Sequence, residues 1–182
     1  MKNQAVAFLL FLSTLSVSQT NYSVGFNTGI FFPNSSSFKL GSGGLVVLNL
    51  QLNEDITAFI SSGYSTWGYR SKNEYNTRII PFIFGIKYKL SQGGVTPYVS
   101  GELQYVTGET DYYVKYDAFG LPVLNPKKAT FNISELGSGL GAGLLIPISS
   151  SIDIDISNSI LLTAKTSSVY NIRSMLGLSF NL

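Results

Sequence analysis

The sequence predicts an all-β fold, an eight-stranded antiparallel up-and-down β-barrel that crosses a membrane with its strands. Charged residues make up only 12% of the 182 residues, and aromatic residues 13%, whereas roughly 25% of an ordinary soluble domain is charged. Past residue 20, no run of 18 apolar residues occurs that would form a transmembrane helix. Apolar and polar residues instead alternate over eight short segments, which is the pattern of half-buried strands.

The first eighteen residues have the layout of a signal peptide. Lys2 gives a basic start, an apolar run of eleven residues covers 5–15, and Ser16-Val17-Ser18 offers small residues ahead of a cut before Gln19. A buried N-terminal helix is the alternative. We expect residues 1–18 to be removed, and residues 19–182 to form one barrel domain outside the cytoplasm.

Each of the first four segments has one apolar face. The first alternates aromatic and aliphatic residues with Ser, Gly and Asn, and the second sets Leu and Val against mostly polar residues. The third alternates least clearly, because Phe59 and Trp67 lie opposite its aliphatic side. The fourth has an unbroken apolar face from Ile80 to Leu90, with two lysines on the other side. The predicted strands are 22–32, 40–52, 56–68 and 78–90.

The last four segments repeat this pattern. The fifth sets Val99, Leu103 and Tyr105 against polar residues, and the sixth sets leucines against four glycines. Three isoleucines face two aspartates and a serine in the seventh, and the eighth alternates Ile, Leu and Phe up to Leu182. Strands of about ten to thirteen residues suit tilted crossings of a bilayer. The predicted strands are 95–107, 132–146, 152–162 and 170–182.

The links between these segments alternate in length. The second, fourth and sixth links are the short segments 53–55, 91–94 and 147–151, whereas the odd-numbered links are longer. Short turns at one end and longer loops at the other are typical of outer-membrane barrels, whose termini lie on the periplasmic side. The predicted extracellular loops are 33–39, 69–77, 108–131 and 163–169. Near the top of the third strand, Tyr64, Trp67 and Tyr69 are expected to join an aromatic girdle.

The composition of the face opposite the apolar one indicates which face of the strands lines the interior of the barrel. A soluble, lipocalin-like barrel would bury its apolar face and carry Lys and Glu outside. Here the other face is rich in Gly, Ser and Asn, which fit the narrow interior of eight strands and suit a solvated surface poorly. We therefore expect the apolar face to contact lipid. The glycines of this second face are Gly25, Gly29, Gly41, Gly43, Gly137, Gly139, Gly141 and Gly143.

Seven charged residues fall on the predicted lumen face. Counting from the periplasmic strand ends predicts a mid-barrel ion pair of Arg173 with Glu102 or Glu135, and a lower cluster of lysines and aspartates. An unpaired charge in such an interior is costly, so pairing is expected. We interpret the set as a polar plug, with a proton or ion path as the alternative. The seven are Lys87, Lys89, Glu102, Glu135, Asp153, Asp155 and Arg173.

Nothing in the sequence predicts a catalytic, cofactor or metal site. There is no Cys and no His, which removes the commonest general base and the commonest metal ligands. The segment from Gly137 to Ala142 matches the pattern G-x-G-x-x-G/A, but no helix start follows it, so we reject a dinucleotide site. The net charge of +2 is too small to suggest nucleic-acid binding.

The longest link, 108–131, combines aromatic residues with lysines. Tyr112, Tyr113, Tyr116 and Phe119 surround Lys115. Exposed rings beside charges suit the recognition of an extracellular glycan or protein. The alternative is that residues 112–116 prolong the fifth strand above the membrane.

Three stretches carry a family resemblance that spans residues 19–182: Thr96-Pro-Tyr-Val-Ser-Gly-Glu-Leu-Gln-Tyr105, Gly139-Leu-Gly-Ala-Gly-Leu144 followed by Pro147, and the last strand. They resemble the small outer-membrane β-barrel family that includes the OmpA membrane domain, OmpX and opacity-type proteins. The resemblance implies a bacterial outer-membrane location, lipid as a partner, and a C-terminal strand that the assembly machinery reads. Leu182 stands where that family usually has an aromatic residue.

The function expected from these observations is non-enzymatic. The barrel would serve the cell envelope structurally, recognise a surface ligand through its extracellular loops, or do both. Outer-membrane enzymes of this size resemble one another in using a His, which is absent here. The alternatives are a soluble ligand-binding barrel and a narrow channel or transport-associated barrel, the latter disfavoured by the bore of eight strands.

Overall fold

The fold is a closed barrel of eight antiparallel strands in chain order, with β1 paired to β8. A computed structural model describes residues 21–33, 39–68, 74–113, 115–117, 119–124, 128–163 and 171–182. The expected signal peptide lies outside the described residues. No helix within these ranges is long and apolar enough to cross a membrane. The strands are β1 (Tyr22–Pro33), β2 (Gly41–Gln51), β3 (Ile56–Gly68), β4 (Glu74–Lys89), β5 (Thr96–Tyr113), β6 (Lys128–Ser149), β7 (Ile152–Thr163) and β8 (Asn171–Asn181).

Three short links join strands at one end of the barrel, which we call the turn end; the other is the loop end. In the first link, the Asn53 side-chain oxygen accepts the backbone N–H groups of Asp55 and Ile56 at 2.9 and 2.7 Å. In the second, Gly93 and Gly94 have φ values of 80° and 61°, which only glycine adopts without strain. The predicted third link, 147–151, is wrong in part, because β6 continues to Ser149 through a register shift after Pro147.

Residues paired across successive strands form rows, and each row moves toward the loop end as it passes around the barrel. A row that leaves β5 at Val99 crosses every strand and returns to β5 at Glu109, ten residues nearer the loop end, so the shear number is ten. With eight strands at standard spacings, this shear sets a strand tilt of about 41°. The row consists of Val99, Ala142, Asn158, Ser174, Ile30, Ser42, Thr66, Arg78 and Glu109.

The large apolar side chains lie outside the barrel, as predicted. Leu140 is 75% exposed, Leu103 is 68% exposed and Phe84 is 64% exposed. Their strand neighbours face a small lumen, which holds the polar side chains and an apolar cluster around Ile83, against which Phe59 packs. A soluble barrel with an apolar pocket does not fit this arrangement. The side chains of the apolar cluster are Leu45, Val47, Ile83 and Met175.

The alternation of inward and outward side chains along β3 shows which face carries two of the three predicted girdle residues. Tyr64 faces outward and is half exposed, as expected. Trp67 falls two positions beyond the buried Ser65, on the lumen side of β3, so its assignment to the girdle is wrong. Tyr69 lies outside the described residues.

Three strands are longer toward the loop end than the sequence predicted. The pairing of β6 with β7 begins at Gly137, whereas β5 and β6 remain paired up to Tyr113 and Lys128, and β4 follows them to Glu74. The three strands therefore continue beyond the pairing of β6 with β7 as a sheet, which we call the wall: residues 74–80, 107–113 and 128–136.

Candidate functional site: the lumen plug and the wall

Glycines make room for the large side chains of the lumen. Gly143 pairs with Tyr98 across β5 and β6, and a Cβ at Gly143 would lie 2.5 Å from the Tyr98 ring. Gly139 pairs with Glu102 in the same two strands, and a Cβ there would lie 2.8 Å from the Glu102 carboxylate. Small residues opposite large ones are what an interior filled by side chains requires. The lumen is therefore packed.

The structure brings Arg173 and Glu102 together in the middle of the lumen. One terminal nitrogen of Arg173 donates to both Glu102 oxygens, at 2.8 and 2.7 Å. The Glu102 side chain is 2% exposed and that of Arg173 is 10% exposed. Among the described residues, the Nε atom of Arg173 is buried without a hydrogen-bond partner. Because each charge is largely withdrawn from water, each depends on the other.

A second ion pair lies nearer the turn end. The Lys87 ammonium donates to one oxygen of Asp155 at 2.7 Å, and the Tyr98 hydroxyl donates to the other at 2.6 Å. The Lys87 nitrogen also lies 4.9 Å from the centroid of the Tyr98 ring and 5.5 Å from that of Phe59, within range of cation–π attraction. One ammonium is thus held by a carboxylate and two aromatic rings.

The other three predicted lumen charges lie apart from these pairs. Lys89 and Asp153 line a cavity of about 70 Å³ at the turn end. There Asp153 accepts a hydrogen bond from the Asn181 amide at 3.1 Å, and Lys89 forms no ion pair within the part of the chain that the structure describes. Glu135 lies opposite Val106 in β6, four residues above Gly139, so Arg173 pairs with Glu102 and not with it.

Sequence reasoning missed two residues of this site, Tyr98 and Phe59. Both are aromatic residues on a lumen face, and each lies against a glycine, Gly143 and Gly85 respectively. The signal was present in the weak alternation of the third segment, where Phe59 breaks the polar side. An aromatic residue on the small-residue face of a strand indicates a lumen-filling ring.

Small cavities lie between the side chains of the described lumen. The mid-barrel cavity has about 40 Å³, and Lys87 lines both it and the turn-end cavity. No group of three or more Asp, Glu, His or Cys side chains that would suit a metal ion occurs among the described residues. The arrangement suits structural closure of the barrel.

The outer face of the wall carries an ion cluster above the apolar belt. The guanidinium of Arg78 contacts both Glu109 and Asp111, and Lys128 lies 3.0 Å from Asp111. Thr130 donates a further hydrogen bond to Asp111 at 2.9 Å. Desolvation favours protonation of Asp111, but the hydrogen bonds and charges of its neighbours outweigh it and lower the pKa of the Asp111 carboxyl. The hydrogen bond between Lys128 and Asp111 raises the pKa of Lys128.

The four predicted recognition residues are divided between two structures. Tyr112 and Tyr113 belong to β5, as the alternative interpretation proposed, whereas Tyr116 and Phe119 belong to a small turn above the wall. In that turn, Tyr116 pairs with Pro122, and Asp117 accepts the N–H groups of Phe119 and Leu121 at 2.9 and 2.8 Å. Phe119 is 89% exposed at its tip. The turn thus holds an apolar side chain away from the barrel.

This geometry defines a class of protein, a closed eight-stranded antiparallel barrel with an apolar exterior and buried ion pairs in its lumen, the architecture of small outer-membrane barrels. Solved structures of such proteins match nearly the whole chain. No protein-family model matches the sequence, and no curated protein matches it by sequence.

Three of the similar structures are natural outer-membrane proteins. A major outer membrane protein from Thermus thermophilus superposes with a TM-score of 0.66 and 14% identity, covering 91% of this chain and 100% of its own. Neisserial surface protein A gives 0.60 and 12%, covering 91% and 98%. Ail, the attachment invasion locus protein of Yersinia pestis, gives 0.56 and 16%, covering 90% and 97%. At these identities the likeness establishes the fold.

Proposed function

We propose that the chain is a non-enzymatic barrel of a bacterial outer membrane that serves the envelope and displays a recognition surface outside the cell. The turn end then faces the periplasm and the loop end the exterior. The observation that carries this proposal is the outward apolar belt over all eight strands, combined with a lumen of paired charges. In water such an exterior would aggregate, whereas in lipid it is the stable surface.

Membrane placement is tested by fractionation. The protein is expected in the outer-membrane fraction and to resist extraction with carbonate or urea, and protease applied to whole cells is expected to cleave only loop-end segments. Release into the soluble periplasmic fraction would contradict the placement.

The C-terminal strand is the proposed contact with the assembly machinery. In β8 four of the five outward side chains from Ile172 to Phe180 are apolar, Ser174 being the exception, and Leu182 is 81% exposed beyond them. Replacing Leu182 with Asp is expected to lower the amount of folded barrel in the outer membrane, whereas Leu182→Phe is expected to preserve it. Equal yields of the two variants would exclude a role for this residue.

Surface recognition is proposed for the turn above the wall. Its support is a turn whose side chains stay exposed. The Asp117 carboxylate fixes this turn by accepting the N–H groups of Phe119 and Leu121, and Gly120 adopts a φ of 79° without strain. A preorganised apolar tip loses little entropy on binding. Phe119 and Leu124 are 89% and 99% exposed.

A sulfated glycan is a rational first probe. A structure of Ail has been solved in complex with the heparin analogue sucrose octasulfate, and the present wall and turn carry Arg78, Lys115 and Lys128. Binding of folded barrel in vesicles to immobilised heparin is expected to fall when Lys115 is replaced with Gln.

The variant Phe119→Ser tests whether the apolar tip of the turn contributes to the binding of cells or matrix proteins. If deleting residues 110–128 changes no binding, recognition by this region is wrong.

A further inference from the structure

An amide and a hydroxyl lie on the outward face of the barrel, within the apolar belt. Asn158 in β7 and Ser174 in β8 are register partners, and the Ser174 hydroxyl donates to the Asn158 side-chain oxygen at 2.6 Å. The two N–H donors of the Asn158 amide have no partner in the portion of the chain that is described. Both side chains point away from the lumen plug.

The depth of Asn158 places this amide in hydrocarbon. It lies six residues above Ile152, the first residue of β7, and each residue of a strand tilted by about 41° rises roughly 2.5 Å along the barrel axis. Asn158 is therefore about 15 Å from the turn-end edge of an apolar belt that is about 25 Å tall. This step rests on the proposed membrane placement. A free amide donor there has neither water nor a polar headgroup to bind, which is unfavourable.

The surroundings of Asn158 have the form of an interface centre. Its row neighbours, Ala142 on β6 and Ser174 on β8, have small side chains. Large aliphatic side chains surround this row on all three strands. Residues that contribute strongly to an interface usually lie near its centre, surrounded by side chains that exclude water. We call these nine residues the β6–β8 patch: Asn158, Ala142, Ser174, Leu140, Leu144, Ile156, Ile160, Ile172 and Leu176.

We propose that the β6–β8 patch binds a second copy of this chain about a two-fold axis perpendicular to the membrane. Two copies inserted in the same direction place the same residue at the same depth, so Asn158 of one copy faces Asn158 of the other across the axis. An amide carries both donor and acceptor, which makes it complementary to itself. Acyl chains offer no acceptor, whereas a second copy supplies one at the required depth.

Association of the folded protein is the first test. The full barrel, refolded in detergent micelles, is compared by sedimentation equilibrium with Asn158→Leu and with the matched control Ser62→Leu. Ser62 faces outward on β3, on the opposite side of the barrel, and lies six residues above Ile56, at the depth of Asn158. We expect Asn158→Leu to weaken association at least roughly tenfold, and Ser62→Leu to leave it unchanged. Ala142→Leu, which places a bulky side chain beside Asn158, is expected to weaken association as well.

Cross-linking locates the contact. The chain has no Cys, so a single introduced Cys reports one position. Ile156→Cys in β7 is expected to form a disulfide between copies in vesicles, and Ile60→Cys, an outward Ile at the same depth on β3, is not. Adding Asn158→Leu to Ile156→Cys is expected to reduce the disulfide yield.

Three results would overturn the inference. These are a monomer at all concentrations, equal cross-linking of the two Cys variants, and association unaffected by both Asn158→Leu and Ala142→Leu. Circular dichroism identifies a variant that does not fold. In that case the inference is judged by the cross-linking of Ile156→Cys and Ile60→Cys, both of which leave Asn158 intact. Failure of the wild-type barrel to insert into vesicles contradicts the proposed function itself, whereas insertion without association contradicts only this inference.

Discussion

The charge of Glu102 in the lumen depends on one arginine, which leads to the first prediction. Arg173→Met leaves that carboxylate buried without its partner and is expected to cost about 3–5 kcal/mol of unfolding free energy. Urea unfolding in vesicles, followed by the fluorescence of the single Trp67, measures the loss.

The matched double variant identifies the cause. Arg173→Met combined with Glu102→Gln removes both charges, and most of the stability is expected to return, because no uncompensated charge remains. If the single and double variants are equally unstable, the ion pair is not what Arg173 contributes.

Substitution of two glycines on neighbouring strands is expected to affect the stability of the barrel differently. Gly143→Ala places a methyl group against the Tyr98 ring and is expected to destabilise the barrel by about 1–3 kcal/mol. Gly101 faces outward, with nothing within 4 Å of an added Cβ, so Gly101→Ala is expected to change stability by less than about 0.5 kcal/mol. Equal effects in the same unfolding experiment would mean that the lumen is not tightly packed.

At the scale of elements, the wall is expected to depend on pH. The folded pKa of Asp111 is lowered, so its ion cluster stabilises the wall above the ordinary value of 3.8 and loses this contribution as the pH falls through the folded value. The expected result is faster amide exchange at wall residues 107–113 and 128–136 below that pH, with the barrel strands unaffected. Asp111→Asn is expected to remove the pH dependence. A wall with the same exchange pattern in both proteins would contradict the role of Asp111.

The strands were largely predictable because lipid-facing and lumen-facing residues alternate along each strand of a membrane barrel. Alternation located all eight strands, including β7 from its Ile and Asp residues. It stopped short at β4, β5 and β6, whose upper outward residues, such as Asn76, Glu109 and Thr130, are polar. Above the lipid, both faces of a strand are wet, so the hydrophobic period disappears while the backbone pairing continues.

Part of the lumen was predictable for a similar reason. Residue counting brings Arg173 to the level of Glu102, since tilt and register are nearly fixed in a small barrel. It cannot say that Tyr98 donates to Asp155 or that Lys89 remains apart from Asp153, because these contacts depend on side-chain rotamers in cavities of 40–70 Å³. The exposed turn at Phe119 depends on local hydrogen bonds of Asp117, which no periodicity reports.

At the scale of the whole molecule, the packed lumen predicts an insulating barrel. Two buried ion pairs and lumen-filling rings occupy the lumen, and the two cavities that they line hold only about 70 and 40 Å³. Purified barrel in planar bilayers is expected to show no steady conductance at neutral pH. Stable, uniform current steps from the wild-type protein would favour the channel alternative, and their loss in Arg173→Met would assign them to the plug.

The seam between β1 and β8 joins residues as far apart as Ser23 and Asn181. Until these two strands meet, each leaves a row of backbone groups without partners, and a bilayer cannot hydrate them. An open intermediate has no favourable place in the hydrocarbon, so closure is expected to be cooperative. Because this pairing joins residues far apart in the sequence, we expect it to be slow. A chain arrested before that step would be a substrate for quality-control proteases.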